Sequence, residues 1–379
     1  MAKYVQAKKQ KNQKKEISPA FLRFKLFFRS LIKNDAAVEG GRFSPWWTSL
    51  LIALSSVVVA LTPTFVQIGK THGNQILKGD TYSTDVGLVA FSEALKEHHV
   101  SLTIEKNTEG KHRLLNAADE ATTKLVFTEN LTLDTQSYDY FLYKTSDDVA
   151  KFKVFYFVEG PTSDFKILRE YLRNLKYSEK NPIEGQIRPV SYLILTDVQL
   201  SGANYKFATE MNGTTTASAV SGDYSLLPTG YSLATFATKS ATGENIVTLK
   251  ENAATYEKYV EGVLSNWSNF YNEAYKPVKK IAFWTLSGTY AGAYVVIVLF
   301  LGLVLFLITR GKYSVNRDWK FFQAMGVGAW MSFTPALLTL LVGLFSPGYA
   351  AMGFIMLNSF RVMWFSMKAM RESTPPTTK

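Results

Sequence analysis

The stretch AAMGFIMLNSFRVMWFSMKAM, residues 350–370, is an apolar run with one arginine near its middle. Whether it crosses a membrane decides the fold, because its direction fixes how often the chain must turn back. Tyr349 to Arg361 is 12 residues, about 18 Å of helix, too short for a hydrocarbon core about 30 Å thick. Tyr349 to Lys368 is 19 residues, about 28 Å, which is enough. A span that ends at Lys368 therefore carries Arg361 into the membrane. Insertion scales put a central arginine at about 2.5–3.5 kcal/mol. Two readings stay open: the stem snorkels toward headgroups, or the guanidinium turns into a helix bundle. No Asp or Glu lies inside any apolar run of the chain. The expected partners are lipid phosphate, backbone carbonyls, or the hydroxyls of Ser332 and Thr334. Asn358 lies three residues back on the same stripe.

Three further runs share this character. PWWTSLLIALSSVVVALTPTFVQI, residues 45–68, opens on Trp46 and Trp47, where an interfacial aromatic belt belongs. From Ile281 to Thr309 there is no charge. FFQAMGVGAWMSFTPALLTLLVGLF, residues 321–345, contains Pro335, which should kink a helix and free a carbonyl. SPGYA, residues 346–350, is a turn with Pro347 and Gly348.

The net charge of +11 is unevenly placed. Residues 1–46 carry 11 basic and 3 acidic side chains, while residues 68–280 carry 23 basic and 26 acidic. Residues 310–320 and residues 361–379 each carry 4 basic and 1 acidic. Basic flanks mark the cytoplasmic side, so the N-terminus, the loop RGKYSVNRDWK and the tail after Lys368 are expected inside. Four spans satisfy all three assignments. The expected fold is thus an α-helical membrane bundle of four spans (45–68, 281–309, 321–345, 349–368). An extracytoplasmic α+β domain, residues 69–280, is inserted between spans one and two. The folded domain is slightly acidic, which argues against nucleic-acid binding. The chain has no cysteine, which excludes a disulfide framework or a cysteine zinc site and favours a bacterial or cytosolic setting. The plasma membrane of a bacterium is the expected location.

Residues 1–16, MAKYVQAKKQKNQKKE, are basic and poor in bulky apolar side chains, and disorder is expected. Residues 17–34 read as an amphipathic helix, with Pro19 at its first turn. Phe21, Phe24, Phe28, Leu31 and Ile32 share one face, and Lys25, Arg29 and Lys33 form a row beside it. That pattern suits a bilayer surface with anionic headgroups, or a cytoplasmic partner protein.

Within the domain, TDVGLVAFSEALKEH reads as a helix with Val86, Val89 and Leu95 inward. VSLTIE, TKLVFTE, YDYFLYK and KFKVFYFVE read as strands. SDFKILREYLRNLKY reads as an amphipathic helix burying Phe165, Ile167, Leu168, Leu172 and Leu175. PVSYLILTDVQL reads as one further strand, and residues 201–248 as loops and short strands. The last helix places Tyr256, Val260, Val263, Trp267, Phe270 and Tyr271 on one stripe. It serves either as a stalk into span two or as a cover for the domain core.

No motif carries chemistry. IGKT at 68–71 lacks the first glycine of a phosphate loop, with Thr64 in its place. Glu93, Glu97, His98 and His99 include no spaced histidine pair. SLIK at 30–33 lies on the basic helix, without the supporting motifs of a Ser-x-x-Lys nucleophile. No catalytic residue, cofactor or metal is expected, and the chain reads as a non-enzyme.

NRDWKFFQAMGVGAWMSFTPALLTLLVGLF (316–345), NSFRVMWFSMKAMR (358–371) and FKLFFRSLIKN (24–34) carry a resemblance. The layout resembles an uncharacterised membrane-protein family of Gram-positive bacteria, often labelled maltodextrin-utilisation protein. Thr334-Pro335 matches that family's Thr-Pro in a later span, although the outside domain here is longer. The resemblance implies an accessory or regulatory role near sugar uptake, with no catalytic residues. The plan also resembles the cell-division and macrolide-export type of ABC permease subunit, which implies an ATPase partner on the inner side.

Overall fold

A computed structural model of the chain describes residues 19–77, 84–116, 129–133, 136–144, 150–157, 162–174, 191–207, 214–240, 250–311, 314 and 316–372. The basic tail 1–16 and most of TKLVFTE lie outside the described residues, as do Leu175 and the C-terminal residues 373–379. The chain divides into two compact units, Met1–Lys70 with Ala282–Lys379, and Thr71–Ile281. Among the described residues three helices are long and apolar enough to cross a membrane, and the sheets lie in the unit Thr71–Ile281, so the protein is mixed α and β.

The first unit is helical. Its elements are α1 (Pro19–Ser30), α2 (Asn34–Phe43) and α3 (Trp46–Lys70). After residues of the other unit come the last part of the helix Ala253–Thr309, then Phe321–Phe345 and Ala350–Glu372. The span-length apolar helices are Trp46–Lys70, Ala253–Thr309 and Phe321–Phe345. The helix Phe321–Phe345 is the most enclosed of them, and small residues make this possible. Gly326 meets the Gly41 carbonyl and the Ser49 hydroxyl, Gly328 meets the Gly302 backbone, and Gly343 meets the ring of Pro63. Without a hydrophobic drive between helices in lipid, such close backbone approach supplies the packing. Nothing in the periodicity assigns an element to residues 35–44, yet α2 forms there, through two adjacent glycines. Its stability is tertiary: a Cβ at Gly41 would strike the Val327 backbone, and one at Gly40 the Trp330 ring. The helix penalty of glycine is outweighed by the approach it permits.

The second unit carries α4 (Thr84–Glu97), α5 (Thr162–Asn174), α6 (Thr235–Ser240) and the first part of α7 (Ala253–Thr309). Its strands are β1 (Leu102–Lys106), β2 (His112–Asn116), β3 (Glu129–Leu133), β4 (Gln136–Lys144), β5 (Ala150–Phe157), β6 (Ser191–Thr196), β7 (Gln199–Phe207), β8 (Thr214–Asp223) and β9 (Tyr231–Ser232). They form a three-stranded sheet ordered β2-β1-β9 and a six-stranded sheet in sequential order from β3 to β8. All neighbours are antiparallel except β5 and β6. A parallel pair needs a long crossover, and α5 lies within it.

The larger sheet is covered on both faces, which explains its apolar central strand. Tyr192 and Ile194 of β6 pack with Tyr138, Tyr140, Phe165, Leu168 and Leu172. Leu193 and Leu195 point the other way, into the core with Leu88, Phe91, Val263, Trp267 and Phe270. Each such side chain contributes about 1.5–3 kcal/mol by leaving water.

Two inward assignments are corrected. Val86 is 47% exposed and Ile167 41%, because each sits at the edge of its helix stripe while Leu88 and Leu168 take the core positions. PVSYLILTDVQL is also two strands rather than one. β6 and β7 are joined at Asp197 and Val198, a turn without the usual Asn-Gly or Asp-Gly signal. Thr196 supplies the turn chemistry instead: its Oγ1 accepts the Gln199 N–H at 3.1 Å. Residues 201–248 hold more strand than expected. Gly202 approaches Ile76, and Gly222 approaches Ala274 on α7, so the small residues that look loop-like are packing requirements.

The α7 stripe covers this core. Val263, Trp267, Phe270 and Tyr271 are fully buried, with Tyr259 and Ala274, while Tyr256 and Val260 lie at the margin. The chain entering the unit is stitched to the same helix. Tyr275 donates to the Thr71 hydroxyl at 3.2 Å, Lys279 to the Thr71 carbonyl at 2.9 Å, and Asn74 to the Ser268 hydroxyl at 2.9 Å.

Tyr231 stacks on Phe270 with ring centroids 6.0 Å apart. Burial, with the Glu273 carboxylate nearby, pushes its phenol up to about 12. The folded unit therefore holds that proton more tightly than the unfolded chain. Its contribution is complete below about pH 10, where a free tyrosine titrates, and is lost as pH rises toward about 12. Over that window about 1–2 kcal/mol of stability should disappear, less than the full shift because the ring is partly exposed and its surroundings are screened by water. Urea unfolding on both sides of the window measures it, and Tyr231→Phe should flatten the alkaline decline.

Candidate functional site

The arginine that opened the question turns inward. On α9 (Ala350–Glu372), Arg361 donates through Nη1 to the Met331 carbonyl at 2.7 Å and through Nε to Asn34 Oδ1 at 3.0 Å. Its Nη2 donates to the Ser30 carbonyl. Each acceptor has a structural cause.

Met331 lies four residues before Pro335 on α8 (Phe321–Phe345). A proline has no N–H to give the carbonyl four residues back, so the Met331 carbonyl lacks its helical donor and takes the guanidinium. Ser30 and Leu31 close α1, where the last carbonyls of a helix have no partner within it. Arg361 takes the first, and Thr334 Oγ1 donates to the Leu31 carbonyl at 2.9 Å. The guanidinium also sits at the negative end of the α1 dipole, where a cation is favoured. These dipoles and the Asn34 amide oxygen stand where a carboxylate counter-ion would otherwise be needed.

The hairpin held this way is α1 and α2, joined by Leu31–Lys33. Phe27 and Gly40 both reach Trp330, which places the two helices side by side. At the base of α2, Arg42 pairs with Asp318 at 2.6 Å and lies over the Trp319 ring at 5.5 Å. Near the tip, Asp35 pairs with Lys368 at 3.7 Å.

Ser332 lies two residues before Thr334, about 200° round the helix, on another face of α8. Its hydroxyl reaches Ser56 Oγ at 2.9 Å, and Ser56 donates to the Ile52 carbonyl at 2.7 Å. Asn358 is buried and donates to the Phe354 carbonyl at 3.2 Å. Pro335, Ser332, Thr334, Asn358 and Arg361 therefore line the contacts of α8 and α9. Arg361, Thr334 and Pro335 converge on the hairpin, whereas Ser332 serves α3 and Asn358 serves its own helix.

The residues of α1 divide three ways. Leu26, Phe27 and Ser30 face the bundle. Phe21, Phe24, Phe28 and Ile32 are exposed, as are Lys25, Arg29 and Lys33. Hydrophobic periodicity locates the outer apolar stripe but not the second, inward one. Asn34, Ser30 and Asp318 escape sequence reasoning, because their partners are 327, 331 and 276 residues away. One usable signal existed: Pro335 marks Met331 as a carbonyl in search of a donor.

In the sheet unit, Glu93 accepts Lys250 Nζ at 2.7 Å. That bond outweighs burial, which acts the other way, and raises the Lys250 amine above its ordinary value. Glu93 is thereby committed to an ion pair. No family model, curated protein or solved structure matches this chain.

Proposed function

We propose that the chain is a four-span protein of the bacterial plasma membrane, with residues 71–281 as an extracytoplasmic binding or sensing domain. In this reading it is an accessory or regulatory component of solute uptake, with sugar as the candidate class suggested by the resemblance of its spans and lead-in. One observation carries it: the apolar runs fall in one unit and the sheets in the other, the two alternate along the chain, and the basic excess gathers in residues 1–46, 310–320 and 361–379. The fourth span is α9, whose 23 residues suffice for a crossing and whose one deep charge has protein acceptors.

The chain has no cysteine, so single-cysteine reporters are clean. In intact cells a membrane-impermeant maleimide should label Ser225→Cys and Ser346→Cys, and should label Arg317→Cys only after lysis. Labelling of Arg317→Cys in intact cells would reject the topology.

A second reading is favoured by α7, one continuous helix of 57 residues that carries both core residues of the sheet unit and an apolar run. Such a helix suits a permease-like subunit that passes ATP-driven motion outward. This reading requires co-purification with an ATP-hydrolysing subunit, weakened when Lys25, Arg29 and Lys33 are replaced. An intact protein that captures no such subunit rejects it.

A further inference from the structure

We infer that α1 and α2 form a re-entrant hairpin that enters the membrane from the cytoplasmic side, with lipid acyl chains covering Phe21, Phe24, Phe28 and Ile32 and Arg361 holding the tip at depth. The inference rests on the four-span reading above and adds what covers the exposed aromatic face.

Depth is the first argument. The hairpin tip accepts from Thr334 directly and is tied to Met331 through Arg361, which bonds both. Met331 and Thr334 lie ten and thirteen residues past Phe321, about 15 and 20 Å along the helix. In a core about 30 Å thick, a tip at that level lies well inside the hydrocarbon if α8 crosses. Descent is consistent along α2: Asn34 meets Arg361, Gly41 meets Val327, and Arg42 meets Asp318 beyond the helix start.

The exposed side chains are the second. Ile32, at the tip, is 88% exposed, and Phe21, Phe24 and Phe28 are each more than half exposed. Such a cluster in water would be an unusual apolar patch, whereas among acyl chains it is solvated. Phe24 and Phe28 meet edge-on at 4.7 Å, so the stripe is continuous.

The charges are the third. Lys25 and Arg29 lie beside the phenyl stripe below the tip, where their long stems let the charged ends reach toward headgroups, while Lys33 at the tip is a cost of the arrangement. Asp35 is paired with Lys368, and Glu39, on the exposed side of α2, is a charge that the arrangement must carry at a cost. Polar backbone at the tip is the costly item, because lipid cannot satisfy it. Its two terminal carbonyls are those that Arg361 and Thr334 satisfy.

The test is spin labelling of the full chain in vesicles containing anionic phospholipid. Nitroxides are placed at Phe21→Cys, Ile32→Cys and, as a span reference, Val296→Cys. Expected is an oxygen collision rate several-fold above that of a water-soluble nickel chelate at Val296 and Ile32, with the difference shrinking at Phe21. A Val296 label reached by nickel sinks the span reading, and this inference with it. A Val296 label that is protected, with Ile32 freely reached by nickel, sinks the hairpin alone. Adding Arg361→Gln to the Ile32 reporter should raise nickel access several-fold. If that variant does not insert, Thr334→Ala is used and should act in the same direction. Unchanged access in the inserted variant overturns the role of Arg361.

Discussion

Replacing Arg361 with leucine should destabilise the helical unit by about 1–6 kcal/mol, although leucine is far the better membrane residue. Two opposing effects set this range. Removing the guanidinium saves the insertion cost of an arginine, about 2.5–3.5 kcal/mol at a bilayer centre. Against this, three charge-assisted hydrogen bonds are lost, each worth about 1.5–3 kcal/mol, at Met331, Asn34 and Ser30. The second effect wins because two of the acceptors are backbone carbonyls with no helical donor to return to. Unfolding in mixed micelles measures the difference. Pro335 offers a sharper check. Pro335→Ala restores an N–H that the Met331 carbonyl can accept, so one of the three losses is repaired within α8. The double variant Arg361→Leu with Pro335→Ala should then lose less than the sum of the singles, with a coupling of about 1 kcal/mol. Strict additivity would mean that the Met331 contact contributes nothing. Arg361→Lys should fall between wild type and leucine, because an ammonium cannot reproduce the planar fork that spans three acceptors.

Trp267→Ala should cost the sheet unit about 3–5 kcal/mol, the range for deleting a large aromatic from a close-packed core. Trp267 is fully buried at the meeting point of α4, α6 and α7. Its ring meets Phe236 edge-on at 5.1 Å and Phe270 at 5.6 Å, and lies 6.2 Å from Phe91. Its indole Nε1 donates to Ser92 Oγ at 2.9 Å, and Ser92 donates to the Leu88 carbonyl at 2.9 Å. Truncation opens a cavity and removes the Ser92 bond together. Trp267→Phe keeps much of the ring volume and should cost less, about 1–3 kcal/mol from the cavity and the lost bond. Urea unfolding followed by near-ultraviolet circular dichroism separates the two variants. Equal costs would mean that the hydrogen bond, and not the ring, dominates the site.

The two predictions differ in how far sequence reaches. The helical stripe containing Trp267 could be read from spacing alone, since burial on one helix face imposes a period of 3.6 residues. So could the apolar runs, because membrane length and charge exclusion act residue by residue along the chain. The helix α5 is equally plain, whereas the run that holds the central strand reads as one strand and folds as two. Short-range pattern fails where small residues do long-range work. Gly40 and Gly41 look like a helix interruption until Trp330 and Val327 are placed against them. Gly202 and Gly222 resemble loop residues until Ile76 and Ala274 arrive. The turn at Asp197 carries no glycine signal, because the Thr196 hydroxyl satisfies the backbone locally.

Composition and near-neighbour spacing dictate which segments are apolar enough to leave water, where the positive charge gathers, and that Pro335 must free a carbonyl. All of these are properties of single residues or of near neighbours in the chain. The tertiary structure alone decided that the freed carbonyl belongs to Arg361, and that the same guanidinium closes the end of α1. Hydrogen bonds form over about 3 Å, whatever number of residues separates the partners. A charge placed in an apolar helix announces that it needs acceptors, and only the folding of the chain supplies them.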